Sequence, residues 1–174
     1  CGETVKAVFA AAKSKSPVYI RLTGTANNPI VYKDDFKFEI GKPIKLIDGN
    51  DICIFATGST VYNSIKACEI LKVKNIKASV IDVHTIKPLD TAVIFKACES
   101  SKLIVTIEEH SIIGGLGSAV AEYKTTLTNG PSQLIIGLPN KYGKANEYEA
   151  LLEDHGLTAK QIADKIDKEY NRLV

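Results

Sequence analysis

The run Leu103-Ile104-Val105-Thr106-Ile107 constrains the fold of this chain more than any other stretch. It is apolar or β-branched throughout, with no polar alternation, as a strand buried on both faces requires, and such strands belong to parallel sheets. It ends in charge at Glu108-Glu109-His110, passes Gly114, Gly115 and Gly117, and gives way to helical spacing from Ser118 to Leu127. Strand, polar turn and helix form the unit of an α/β sheet, whose loops lie at the carboxyl edge of the strands, where ligands usually bind.

The glycine loop admits two chemistries. A dinucleotide fingerprint needs Gly or Ala three residues after its second glycine, but Gly115 and Gly117 put Val120 there, and residues 109–114 make a slack connection instead of a tight phosphate turn. Close helix–strand packing, in a loop that docks on something, fits the spacing better. Glu109, His110, Gly114, Gly115 and Gly117 are therefore loop or interface candidates.

The same unit recurs. Ile52-Cys53-Ile54-Phe55-Ala56 is a buried strand, followed by Thr57-Gly58-Ser59-Thr60, which offers a hydroxyl N-cap to a helix from Val61 to about Leu71. Ala78 to Val83 is the next strand, and Asp90 can cap a helix from Thr91 to Ala97. His84, between them, is a further loop candidate, although a histidine after a buried strand is commonly a packing residue. Gln133 to Leu138 is a last strand. Asn146 is placed to cap a short helix, Glu147 to Glu153, which ends at His155-Gly156. Thr158 starts an amphipathic helix with Ile162, Ile166 and Tyr170 inward. Ahead of these, Pro43 to Ile47 is a short strand, and Asp48-Gly49-Asn50-Asp51 is a turn of hairpin type that would make it an antiparallel edge. Residues 40–174 thus predict one α/β domain, a parallel sheet with helices on both faces.

Upstream, Val5, Val8, Phe9 and Ala12 have helical spacing, Pro17 resets the backbone, and Val18 to Leu22 has the pattern of a strand. Residues 26–39 look like a linker, which leaves residues 1–25 as the tail of a preceding domain. The chain starts at Cys1 and holds no methionine in 174 residues, as expected of a piece of something longer.

Composition narrows the partners. With 22 basic and 20 acidic side chains, the formal charge of +2 offers no basic patch for nucleic acid or a membrane surface. No secretory signal and no apolar run of ~18 residues occurs, which predicts a soluble, cytoplasmic protein. Cys53, Cys68 and Cys98 sit in apolar patterns as reduced core residues, and His84, His110 and His155 form no zinc-type pair.

Five stretches together resemble the C-terminal domain of transketolase-like, thiamine-diphosphate-dependent enzymes. They are Pro17 to Leu22, Asp51 to Gly58, Thr85 to Asp90, Glu108 to Glu122 and His155 to Thr158. The Glu-Glu-His prefix and glycine loop are especially similar to the small subunit of split transketolases. The resemblance implies a three-layer α/β/α domain on a mixed, mostly parallel five-stranded sheet whose first strand is antiparallel. It also implies an enzyme that transfers a two-carbon ketol unit between sugars with thiamine diphosphate and Mg²⁺, and in which this domain supports a dimer. Residues 1–25 would be the end of the pyrimidine-binding domain. Neither the activating glutamate's motif nor a G-D-G…N metal motif occurs here, so no catalytic, cofactor-binding or metal residue is expected in this chain, and the isolated fragment should be inactive. Its partners would be a second copy, or the cofactor-binding domain or subunit, and sugar phosphates as substrates. Many such relatives carry a phosphate-binding arginine where this chain has Gly24. Arg21, three residues earlier, would face the other side of a strand and is a weak substitute. Two other architectures fit the same residues: a stand-alone ligand- or partner-binding module, and the C-terminal domain of a 2-oxoacid dehydrogenase β subunit.

Overall fold

The computed structural model describes residues 2–23 and 29–174. Helix α1 (Gly2–Ala12) precedes strands β1 (Ile44–Ile47) and β2 (Ile52–Ala56), helix α2 (Thr60–Val73), strand β3 (Ala78–Asp82) and helix α3 (Thr91–Ser100). Then come β4 (Leu103–Ser111), α4 (Leu116–Lys124), β5 (Ser132–Leu138), α5 (Tyr148–Asp154) and α6 (Ala159–Leu173). The strands form one five-stranded sheet in the order β1-β3-β2-β4-β5, parallel except for β1.

Alternation along the strands divides the core into two layers. Ile52, Ile54, Val80, Leu103, Val105 and Ile107 face α2 and α6, meeting Val61, Leu71, Ile162 and Ile166. Cys53, Phe55, Ile81 and Ile104 point the other way and meet Ile94 of α3 with Leu116 and Val120 of α4. In register, Ile54 lies between Val80 and Val105, at the centre of the sheet. Cys53, Cys68 and Cys98 are free thiols, and burial pushes Cys53 up to about 11 and Cys68 up to about 12, which suits packing residues.

Several local expectations change. The Asp48–Asp51 turn does not close a hairpin: β1 is the antiparallel edge, but it pairs with β3, Ile44 opposite Asp82 and Lys45 opposite Ile81. Both flanks of β2 are taken by parallel neighbours, so the edge left to β1 on that side is the outer one of β3. Asp51 ties the strand starts together instead. Its N–H donates to Lys77 O at 2.9 Å, its Oδ2 accepts from Lys77 N at 2.8 Å, and its carbonyl accepts from Lys102 N at 2.9 Å.

Residues 18–22 form no strand. Apart from half-buried Ile20 they run exposed, Tyr19 at 89%, since a lone strand pattern without a neighbour has no hydrogen-bonding partner to define it. The 31–38 segment lies on the domain, with Val31 on the core and Tyr32 stacked on Phe36 at 3.7 Å between ring centroids. Strand β4 continues to Ser111, four residues beyond the apolar run, and α4 spans Leu116–Lys124 where Ser118 to Leu127 was expected. Asp90 caps α3 as expected, accepting from Ala92 N at 3.1 Å and Val93 N at 3.3 Å. The Asn146 side chain accepts from Glu147 N at 2.9 Å, one residue before α5 begins.

Candidate functional site

The sheet order places a switch point between β2 and β4. The chain leaves β2 towards the α2 face and leaves β4 towards the α4 face, so a crevice opens between the carboxyl ends of these two strands, the usual ligand position in an open α/β sheet. In this protein the crevice is bridged by its own side chains. Thr57 N donates to Ile107 O at 3.2 Å, and the Thr60 hydroxyl donates towards Ile107 O at 3.0 Å and Thr57 O at 2.9 Å. Above them Ser59 Oγ hydrogen-bonds Glu109 Oε2, and Tyr148 at the start of α5 donates to the same oxygen at 2.7 Å. Burial, with the adjacent Glu109 adding to it, pushes the Tyr148 hydroxyl up to about 12, so it remains a donor at neutral pH. The Thr57–Thr60 stretch was expected to offer a hydroxyl cap to α2, but Ser59, which stands at the N-cap, makes no side-chain cap bond and serves this cross-link.

The glycine loop is organised from below by Glu108. Its side chain is 1% exposed and accepts from Leu116 N at 2.8 Å and Gly117 N at 2.7 Å. The first turn of α4 has no side-chain cap of its own, since Gly115 is its N-cap, and a carboxylate from the neighbouring strand satisfies the orphan N–H groups there. The three glycines have separate causes. Gly114 has φ +78°, Gly115 leaves the space where a Cβ would fall 1.9 Å from Glu108 Oε2, and Gly117 sits where a Cβ would meet Ile135 Cγ2 at 2.5 Å. This is helix–strand packing, and the helix N-terminus that a phosphate would need already holds an anion.

The predicted residues divide into groups. Glu109 joins Ser59 and Tyr148, and His110 stands over Gly115 with Nδ1 3.8 Å from Glu108 Oε2, its Nδ1 donating to Ser111 O at 2.9 Å. His84 lies apart, at the end of β3 on the far side of β2. Its Nε2 contacts Lys42 O at 2.8 Å and its Nδ1 contacts the Thr85 hydroxyl at 2.8 Å, while its ring packs on Phe38 at 4.2 Å between centroids. A carbonyl can only accept, so Nε2 carries the proton, and burial lowers the His84 pKa, which keeps it a neutral packing residue. Arg21 is exposed in the segment that is not a strand, so the facing expected from strand alternation does not apply to it. Gly24 lies outside the described residues.

The model of the family described as transketolase, C-terminal domain, matches residues 41–162. The chain belongs to the transketolase C-terminal domain family.

This transketolase C-terminal domain is 39% identical over 163 residues to a putative transketolase C-terminal section of Methanocaldococcus jannaschii, covering 92% of this chain and 50% of that protein. It is 43% identical over 150 residues to one subunit of the apulose-4-phosphate transketolase of Phocaeicola vulgatus, covering 83% of this chain and 47% of that subunit. Among solved structures, a split-gene transketolase described as an inactive beta4 tetramer superposes with a TM-score of 0.77 at 33% identity, over 84% of this chain and 48% of that one. The chain spans about half the length of these relatives. The transketolase family is one of thiamine-diphosphate-dependent enzymes.

Sequence reasoning overlooked Glu108 in this transketolase domain and named its neighbours. A signal was present: an acidic residue directly after a fully buried strand, eight residues before a helix that has glycine at its N-cap. Ser59 and Tyr148 had no such signal, because their shared acceptor is 50 and 39 residues away in the chain. Among the described residues, no helix is long and apolar enough to cross a membrane.

Proposed function

We propose that this chain is the C-terminal domain of a transketolase-type enzyme that transfers a two-carbon ketol unit between sugars, and that it supports the active-site wall and a dimer without carrying the reaction. The observation behind this is the coverage: relatives match nearly all of this chain, while the chain accounts for about half of each of them. Residues 1–25 are the end of a preceding pyrimidine-binding domain. Helix α1 supports this, for it buries no residue and leaves Val5, Val8 and Phe9 at 54%, 51% and 65% exposure, an apolar face that suits a covering domain. The likeness to one subunit of an apulose-4-phosphate transketolase favours pairing with a separate cofactor-binding subunit and a phosphorylated sugar as substrate. The three free thiols among the described residues accord with the reducing cytoplasm.

Thiamine diphosphate and Mg²⁺ belong to the rest of that enzyme, where the cofactor supplies the carbanion chemistry. The residues of this chain do not fit them. Glu108 occupies the N-terminus of α4 that a diphosphate would need, and among the described residues no three metal-ligating side chains of the His, Cys, Asp or Glu type stand together.

The test is a ketol-transfer assay with thiamine diphosphate and Mg²⁺. The complete protein with its cofactor-binding counterpart is expected to turn over a phosphorylated ketose, and the 174-residue chain alone to give no turnover. Sugar transfer by the chain alone would overturn the proposal. In the complete enzyme, Gly24→Arg adds a charge-assisted partner for phosphate and is expected to lower KM for the phosphorylated donor about tenfold. An unchanged KM would mean that this loop is not the phosphate site.

A further inference from the structure

The two edges of the sheet are finished differently. Strand β1 has only four residues, carries the exposed Lys45 and breaks register between Lys45 and Ile47. Short length, a lysine and an irregularity are means by which an edge strand avoids pairing with another chain. Strand β5 has none of them. Its seven residues, Ser132 to Leu138, include no charge and no proline, and Pro131 and Pro139 stand only beyond its ends.

The direction of its free groups follows from the ladder. Leu138 O accepts from Ile112 N at 3.0 Å, and on the far side of β4 Ile107 O accepts from Thr57 N at 3.2 Å. Ile107 therefore faces β2 and Thr106 faces β5. With Thr106 opposite Ile135, the backbone of residues 134, 136 and 138 turns towards β4. Alternation turns the N–H and C=O groups of Gln133, Ile135 and Gly137 outwards, where they meet no hydrogen-bond partner among the described residues. The chain upstream is attached elsewhere. Lys6 of α1 binds Asp35 at 2.6 Å, the Tyr32 hydroxyl donates to Asp82 Oδ2 at 2.5 Å, and Phe38 packs on His84, all on the β3 side. A domain preceding α1 thus enters beside β3, with β2 and β4 between it and β5, a distance of about 14 Å.

We propose that β5 is the strand by which two copies of this chain associate, pairing antiparallel about a two-fold axis at Ile135 and joining their sheets into one. This rests on the dimer proposed above and gives it a surface. In that register Ile135 lies opposite its own copy and Gln133 opposite Gly137, so each outward-facing residue exchanges both of its N–H···O bonds with its opposite number. The pattern is self-complementary, as a two-fold interface requires, and an unrelated strand would have to match it by chance. Gly137 leaves room beside the longer Gln133 side chain. On the other face Leu134 meets Ile136, which extends a core that already holds Ile136 and packs Leu134. With no charge in the strand, no like charges are brought together.

Hydrogen exchange and sedimentation of the complete protein, over concentrations that span dissociation, test the pairing. The amides of Gln133, Ile135 and Gly137 are expected to exchange about a hundredfold more slowly in the dimer than in the monomer. Ile135→Pro removes an outward N–H and spares the β4–β5 ladder, and is expected to raise the dimer Kd about a hundredfold. Ile135→Ala loses the same side chain but keeps the N–H, and should raise it less than about tenfold. A wild-type protein that is monomeric throughout overturns the dimer itself, and this interface with it. A dimer whose three amides exchange as fast as in the monomer, or an equal rise in Kd for the two variants, overturns the β5 pairing alone. Slow exchange already present in the monomer means that another segment covers the edge, and also overturns it. Should Ile135→Pro fail to fold, the wild-type exchange decides.

Discussion

Glu108→Ala is expected to lower the unfolding free energy of the domain by about 3 kcal/mol, read as a shifted urea midpoint at unchanged slope. The substitution removes two hydrogen bonds to a charged acceptor and leaves the N–H groups of Leu116 and Gly117 buried without a partner. Each such group costs about 1–3 kcal/mol, and the bonds cannot be remade by the helix, whose first N–H groups have no acceptor within it. Glu108→Gln separates charge from shape. One end of the amide accepts as before, while the other turns a donor towards a donor, so about 2 kcal/mol is expected. A loss below about 0.5 kcal/mol for Glu108→Gln would mean that the carboxylate is not what holds α4. Gly115→Ala adds a coupled check. Its Cβ would fall 1.9 Å from Glu108 Oε2 and must expel that oxygen, so the cost of Gly115→Ala should shrink once Glu108 is already alanine. Glu109→Ala is the contrast. Its two partners, Ser59 and Tyr148, lie only partly buried and can turn to water, which limits the loss to about 1 kcal/mol.

Gly49→Ala carries the second large effect, about 3 kcal/mol of destabilisation. A Cβ at this position would lie 2.4 Å from the carbonyl carbon of Ala78, 2.6 Å from its oxygen and 2.7 Å from Lys77 O. These are backbone atoms at the start of β3 and cannot rotate aside, so either the turn lifts away, taking Asp51 with it, or the strand start moves. Gly114→Ala separates sterics from backbone conformation. Gly114 has φ +78° with no described atom within 4 Å of its added Cβ, and its replacement is expected to cost about 1 kcal/mol. Denaturation of both variants decides the matter, and a Gly49→Ala loss no larger than that of Gly114→Ala would refute the contact. Hydrogen exchange in β1 should rise with the first substitution and stay level with the second.

Residues near in sequence were read well. The runs Ile52 to Ala56 and Leu103 to Ile107 are central strands, Asp90 caps α3, and Ile162, Ile166 and Tyr170 line the buried side of α6. The antiparallel edge was also legible at Ile44 to Ile47, but its neighbour was not: an adjacent turn of hairpin composition pointed to β2, and β3 took the strand. The candidate site was read one residue off its anchor, since Glu109 and His110 carry the visible polarity, and Glu108 looks like the end of an apolar run until α4 is folded against it.

Periodicity, β-branching, caps and glycines act over a few residues, where the chain can meet only itself, and there the sequence alone determined the helices, the four parallel strands and the two-faced core. The β1–β3 pairing, the Glu108 clamp on α4, the Ser59–Glu109–Tyr148 bridge and the Tyr32–Asp82 contact were decided by the tertiary structure. Each joins groups far apart in the chain, and a buried donor or acceptor takes whichever partner the packing of the sheet brings within reach, because leaving it without one costs more than the local alternatives can return.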